Sequence, residues 1–147
     1  MSIVVPFDGT ALSKAALERA SELGSALEED VVALTVVPKS NVRYAREREW
    51  LDENQHFDTE RVLARVEDQV SDVAPETEFE YELVGRYAQA GEIASKIRAK
   101  ARKLDATLVV LGSDDAGRIV TRVSSVGSPV AADEAYDVML VRQNPTV

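Results

Sequence analysis

The chain has 147 residues, no cysteine and one histidine, so a disulfide framework, a thiolate nucleophile, a thiolate metal site and a multi-histidine metal centre are all excluded. Its length suits a single domain over 1–147, large enough to bury about two-thirds of its unfolded surface without a covalent or metal staple. With 26 acidic against 17 basic side chains it carries a formal charge of -9, which repels nucleic acid phosphates and anionic membranes and makes neither an expected partner.

The acidic excess is spread along the chain, and arginine outnumbers lysine. That balance fits a halophilic cytoplasm, where salt screens self-repulsion, and equally an ordinary acidic soluble protein. No apolar run approaches the roughly 20 residues needed to span a bilayer. The opening residues form a short strand and lack the basic stretch and long apolar segment of a secretory leader, so the expected location is cytoplasmic.

Ser2 to Phe7 reads as a short apolar strand, with Pro6 near its end because proline cannot donate to a sheet ladder. Asp8-Gly9-Thr10 follows as a turn, and Thr10 can cap the next helix. Ala11, Leu12, Ala15, Ala16, Ala20 and Leu23 recur there at helical spacing, and Gly24 is expected near its stop. Asp8, read from its neighbours, is a turn carboxylate at a helix start.

Asp30 to Val37 is a second buried strand, closed by Pro38. Residues 39–58 are the hardest to read. Arg43 to Leu51 is expected as a charged helix with an apolar edge of Tyr44, Trp50 and Leu51. Trp50, the sole tryptophan, is either a packing plug, the expected role, or a lid over a pocket; His56 is expected at the surface. A helical pattern resumes at Thr59, with Val62, Leu63, Val66 and Val70 facing inward, and stops before Pro75.

Glu78 to Val84 alternates polar and apolar residues, the mark of a strand at a sheet edge. Gly85 ends it. A long helix then opens near Gln89, with Ile93, Ile97, Ala101 and Leu104 on its core face. Its cluster of Lys96, Arg98, Lys100, Arg102 and Lys103 reads as a solvated face near a helix C-terminus. Ala106 to Leu111 is a continuous apolar run, a strand buried on both faces. Beyond it come Gly112, Ser113, Asp114, Asp115, Gly117, Arg118, Arg122, Gly127 and Ser128 in a glycine-punctuated loop. Ser128 can cap a short helix with Pro129 at its first position. Unpaired N–H groups at such a helix start suit a phosphate, and glycines let the backbone approach it. Tyr136 to Arg142 is the last strand.

Strands alternating with helices predict a doubly wound, parallel five-stranded sheet. In such sheets ligands bind beyond the carboxyl ends of the strands, where the strand order reverses. Asp8, Val36 and Gly112 would meet there.

The Pro6-Phe7-Asp8-Gly9-Thr10 opening, Gly85 followed by Glu92-Ile93, and the strand–glycine loop–Gly127-Ser128 segment together resemble the universal stress protein family over nearly the whole chain. The resemblance implies an adenine nucleotide alpha hydrolase-like (Rossmann-like) fold. It also implies a site for ATP, with or without Mg2+, formed by Pro6, Asp8, Val36, Gly112, Ser113, Gly117, Arg118, Gly127 and Ser128. Val36 would contact adenine through its backbone, and Gly117, Gly127 and Ser128 would cradle phosphates with Arg118 or Arg122 as a nearby cation. ATP-binding members carry Gly, two residues, Gly, nine residues, then Gly-Ser or Gly-Thr. Here nine residues separate Gly117 from Gly127, but four separate Gly112 from Gly117. Asp114 and Asp115 sit in that lengthened stretch, where carboxylates either repel a phosphate or hold a magnesium ion against it.

Three functions therefore stay open: an ATP-binding regulatory stress protein, a non-binding member acting as a dimeric protein-interaction module, and, least favoured, an enzyme of a related nucleotide alpha hydrolase fold. In the first two cases the family implies a homodimer through the last strand and an unknown protein partner. Efficient catalysis is not expected, slow ATP hydrolysis at most. No Walker-type lysine follows the glycine loop, and no catalytic base set stands at the strand tips beyond Asp8 and Asp114–Asp115.

Overall fold

The computed structural model describes residues 2–113, 130 and 135–142. Its elements are β1 (Ser2–Pro6), α1 (Ala11–Leu27), β2 (Asp30–Pro38), α2 (Val42–Glu47), α3 (Thr59–Val73), β3 (Glu78–Val84), α4 (Ala90–Lys103), β4 (Ala106–Ser113) and β5 (Asp137–Arg142). The five strands form one sheet in the order β3-β2-β1-β4-β5, and every pairing is parallel. This is the doubly wound α/β sheet that the alternation of elements predicts. β1, β2 and β4, the strands with continuous apolar runs, occupy the centre. The alternating strand β3 lies at one edge, as its pattern requires.

Two apolar clusters flank the sheet. One joins Ile3, Val5, Ala33, Val37 and Val110 to Ala16, Leu17 and Ala20 of α1 and to Val62, Val66 and Val70 of α3. The other joins Val4, Val32, Leu34, Val36, Val109 and Leu111 to Ile93, Ala94, Ile97 and Ala101 of α4. Adjacent strand residues thus feed opposite faces, the period-two geometry of a strand covered on both sides. Among the described residues, no helix is long and apolar enough to cross a membrane.

The structure shifts the expected faces and ends of two helices. In α1 the buried stripe is Ser13, Ala16, Leu17, Ala20 and Gly24, with Ala11 exposed. So many alanines leave the helical phase weakly marked in sequence, and the helix turns its smallest residues to the sheet. Gly24 does not end α1. It is buried within the helix, where a Cβ would stand 2.4 Å from Val31 Cγ2 and 2.9 Å from the Glu29 carbonyl oxygen. The helix ends instead at Glu28, which takes a left-handed conformation (φ 56°) and donates its N–H to the Gly24 carbonyl.

α2 is shorter than the charged helix expected over Arg43 to Leu51. Glu49 adopts φ 63°, reversing the chain so that Trp50 and Leu51 fold inward. The Trp50 N–H still reaches the Ala45 carbonyl, at 2.9 Å. The basic end of α4 is not merely solvated. Lys100 Nζ lies 3.1 Å from Glu80 Oε1 of β3, its side chain largely covered. This ion pair ties the C-terminal half of α4 to the edge strand β3.

Candidate functional site

The strand order reverses between β1, whose next strand β2 lies on one side, and β4 on the other. A crevice opens beyond the carboxyl ends at such a point. The registers pair Pro6 with Leu34 of β2 and Val4 with Val109 of β4. Counted onward, they bring Asp8 near the height of Val36 and Ser113. Pro6, Asp8, Val36, Gly112 and Ser113 thus converge at one end of the sheet. Gly117, Arg118, Gly127 and Ser128 lie outside the described residues, as do Asp114, Asp115, Arg122, the Pro129 helix start and the tail 143–147.

Asp8 is held firmly. Its Oδ1 accepts from the Thr10 N–H at 3.0 Å and from the Thr10 hydroxyl at 2.6 Å. The Thr10 hydroxyl in turn accepts from the Ser13 N–H at 3.3 Å, so the threonine caps α1 as its position suggests. Ser13 donates its hydroxyl to the Thr10 carbonyl at 3.0 Å and accepts from the Asp8 N–H at 3.3 Å. The turn carboxylate and the ligand candidate are therefore one residue with two oxygens. Oδ1 is committed to the turn, and Oδ2 faces a cation, as described below.

Val36 is 5% exposed and its side chain belongs to the core against α4. Next to it, the buried Thr35 donates its hydroxyl to the Phe7 carbonyl at 2.8 Å, while the Phe7 N–H reaches the Leu34 carbonyl at 2.8 Å. These bonds extend the β1–β2 contact past Pro6 and fix where Asp8 emerges. Gly112 presses on the first turn of α1: a Cβ there would lie 2.7 Å from the Leu12 carbonyl oxygen. Only a residue without a side chain lets helix and strand approach this closely.

The segment after β2 supplies residues that the sequence did not single out. Arg48, at the end of α2, lays its guanidinium 3.4 Å from the centre of the Tyr44 ring. It donates to the Tyr44 carbonyl at 3.3 Å and brings Nε to 3.9 Å from Asp8 Oδ2. Gln69 of α3 pins this stretch from behind. Its amide donates to the Arg48 carbonyl at 3.2 Å, and its Oε1 accepts from Trp50 Nε1 at 3.0 Å. Trp50 is 2% exposed and is a packing plug, not a lid. His56 is at the surface as expected. No spacing rule marks Arg48 or Gln69 in advance, since each lies among other charged and polar residues.

Burial pushes the Tyr44 phenol above its ordinary value of 10.0. The Arg48 cation lowers it and Asp8 raises it, with burial the largest influence. A raised pKa in the folded state stabilises the neutral phenol, and that contribution is complete below the unfolded value and lost as pH climbs through the folded one. Tyr44→Phe should therefore flatten the loss of stability above about pH 10, read from denaturant midpoints across the alkaline range. An unchanged slope would mean that the phenol ionises freely in the fold.

Comparison with known proteins follows the same lines. The profile of the Universal stress protein family matches residues 1–142. A search of curated protein sequences finds no match. Among solved structures, a universal stress protein in complex with cAMP is 21% identical, with a TM-score of 0.62 and 98% of each chain covered. The universal stress protein from Archaeoglobus fulgidus in complex with dAMP is 18% identical, with a TM-score of 0.62 over 95% of this chain and 96% of that one. A third, from Lactobacillus plantarum, is 18% identical, with a TM-score of 0.62 over 97% of each chain. At these identities the structures testify to the fold, while the profile spans all but the last residues of the sequence: the chain belongs to the universal stress protein family.

Proposed function

We propose that this protein binds an adenine nucleotide, ATP with magnesium, at the carboxyl end of its sheet, and that it works as a regulatory stress-response protein without efficient catalysis. The observation that carries this reading is the convergence of Asp8, Val36 and Gly112 at the reversal of strand order, directly ahead of a glycine-rich segment ending in Gly127-Ser128. The phosphates belong on that segment, where Gly117, Gly127 and Ser128 offer backbone donors and Arg118 a cation. The nucleoside then extends across the crevice toward Pro6, Asp8 and the Val36 backbone. Solved members of the family in complex with cAMP and with dAMP support the ligand class.

The test is calorimetric titration of ATP and magnesium, in dilute buffer and in molar potassium chloride. The second condition screens the self-repulsion of a chain of charge -9, so that binding is read under both strengths of repulsion. Saturable binding by the folded protein is the expected result. Gly127→Asp should abolish it while leaving the melting temperature within a few degrees, because a carboxylate would stand where a phosphate must sit. Binding that survived Gly127→Asp would move the phosphates elsewhere.

A second reading rests on a specific departure from the family pattern, the four residues between Gly112 and Gly117 with Asp114 and Asp115 among them. An acidic, lengthened loop that holds no metal would repel phosphate. The protein would then be a non-binding interaction module. Both readings carry a homodimer through β5, which stands at the sheet edge opposite β3 and can pair with its own copy across a two-fold axis.

A further inference from the structure

We propose that Arg48 is a displaceable cation that occupies the nucleoside end of the site and thereby determines its affinity. The inference rests on the nucleotide reading above and adds to it a residue that the glycine segment does not contain.

Asp8 has one oxygen to offer a ligand. Oδ1 already accepts twice from Thr10, at 3.0 and 2.6 Å, so the carboxylate keeps its position whatever happens at Oδ2. Arg48 Nε faces that second oxygen at 3.9 Å, too far for a hydrogen bond and too near for a water to stand in line between them. Nε is itself buried and has no hydrogen-bond partner among the described residues. The guanidinium therefore flanks Oδ2 on one side without satisfying it, while the Asp8 side chain keeps 39% of its surface open. A ligand donor, a sugar hydroxyl or an amino group, can make the short bond to Oδ2 that Arg48 does not make, and one that approaches along the line of Nε does so by displacing Arg48.

The remaining ties of the arginine are of the kind that exchange. They are a long bond to the Tyr44 carbonyl at 3.3 Å, the face of the Tyr44 ring at 3.4 Å, and a distant Glu47 carboxylate at 4.0 Å. Moving out would also bring the unpaired Nε to water, relieving the penalty of a buried donor without a partner. The backbone does not move with it, because Gln69 holds the Arg48 carbonyl at 3.2 Å and anchors Trp50 beside it. Displacement is thus a side-chain event on a fixed frame. Its cost is subtracted from the affinity of any ligand that uses Asp8.

The test uses the full chain, ATP with magnesium as the probe, and the salt condition in which the protein is folded. Arg48→Met keeps the apolar stem against Tyr44 and removes the cation; it should bind about tenfold more tightly than the parent. Arg48→Gln serves the same purpose if the methionine variant folds poorly. In an Asp8→Asn background the same substitution should change affinity by less than about twofold, since the carboxylate through which Arg48 acts is gone. Such a cycle separates a latch on Asp8 from a general structural effect, which would persist in both backgrounds. Unchanged or weaker binding in Arg48→Met, with the parent binding normally, overturns the proposal and leaves the nucleotide reading intact. Binding by neither protein overturns both.

Discussion

Trp50→Ala is expected to lower the free energy of unfolding by about 3–5 kcal/mol, the range for deleting a large buried aromatic. Trp50 is among the largest fully covered side chains of the described residues and belongs to the cluster shared by α1, α3 and the central strands. Its ring lies 5.7 Å from that of Tyr44, and its Nε1 is the donor to Gln69 Oε1 at 3.0 Å. The substitution therefore leaves a cavity and an unpaired buried amide oxygen together. Beneath them sits Gly9, at φ +82°, where a Cβ would stand 2.6 Å from Gln69 Oε1 and 3.2 Å from Trp50 Nε1. Tryptophan, glutamine and glycine thus clamp the segment after β2 onto the tip of β1.

Trp50→Phe should cost less, on the order of 1–3 kcal/mol, because it fills most of the space but still deprives Gln69 of its partner. Denaturant unfolding followed by far-ultraviolet circular dichroism measures both changes without relying on the fluorophore that is removed. A loss below about 1 kcal/mol for the alanine variant would mean that Trp50 is not integral to the core.

The second large effect is expected at Gly112. Gly112→Ala should destabilise by about 1–3 kcal/mol, and Gly112→Val by more, because the added atoms meet backbone and cannot be accommodated by a rotamer change. A Cβ would lie 2.7 Å from the Leu12 carbonyl oxygen and 2.9 Å from both the Leu12 carbonyl carbon and its Cβ. Relief requires the first turn of α1 to lift from β4. That turn carries Thr10 and Ser13, which position Asp8. Gly112→Ala should accordingly weaken the nucleotide binding proposed above as well as stability. Urea midpoints check the first effect and calorimetry the second. A variant as stable as the parent would show that helix and strand have room to separate.

Gly112 also illustrates how sequence and structure divide the explanation. In sequence it reads as the first glycine of a phosphate loop. In the structure it has a packing duty that holds whatever the loop binds, because α1 crosses the end of β4 too closely for a side chain. Gly24 is the reverse case. It reads as a helix stop, yet it is a contact glycine against Val31, and the stop falls to Glu28 in a left-handed conformation. A glycine signals a place where a side chain does not fit or a backbone must turn, and the sequence does not say which.

The strand cores, the helix over Thr59 to Val73, the edge position of β3 and the parallel order follow from local pattern. Burial on one face or two writes a periodicity that neighbouring residues share. Asp8 and Thr10 are equally legible, since a strand tip and a helix cap lie within three residues of each other. The Arg48–Tyr44–Asp8 cluster and the Gln69 bridge are not, because their members lie up to 61 residues apart, from Asp8 to Gln69, and each taken alone is an ordinary polar residue. What the sequence by itself determined is the family, the alternation of elements and the end of the sheet at which Asp8, Val36 and Gly112 stand. Only the tertiary structure decided that Trp50 plugs the core, that Gly24 and Gly112 are contact points, and that an arginine stands over Asp8. Periodicity reports on the burial of one element at a time, whereas a site is a meeting of several elements whose distances exist only once the sheet has formed.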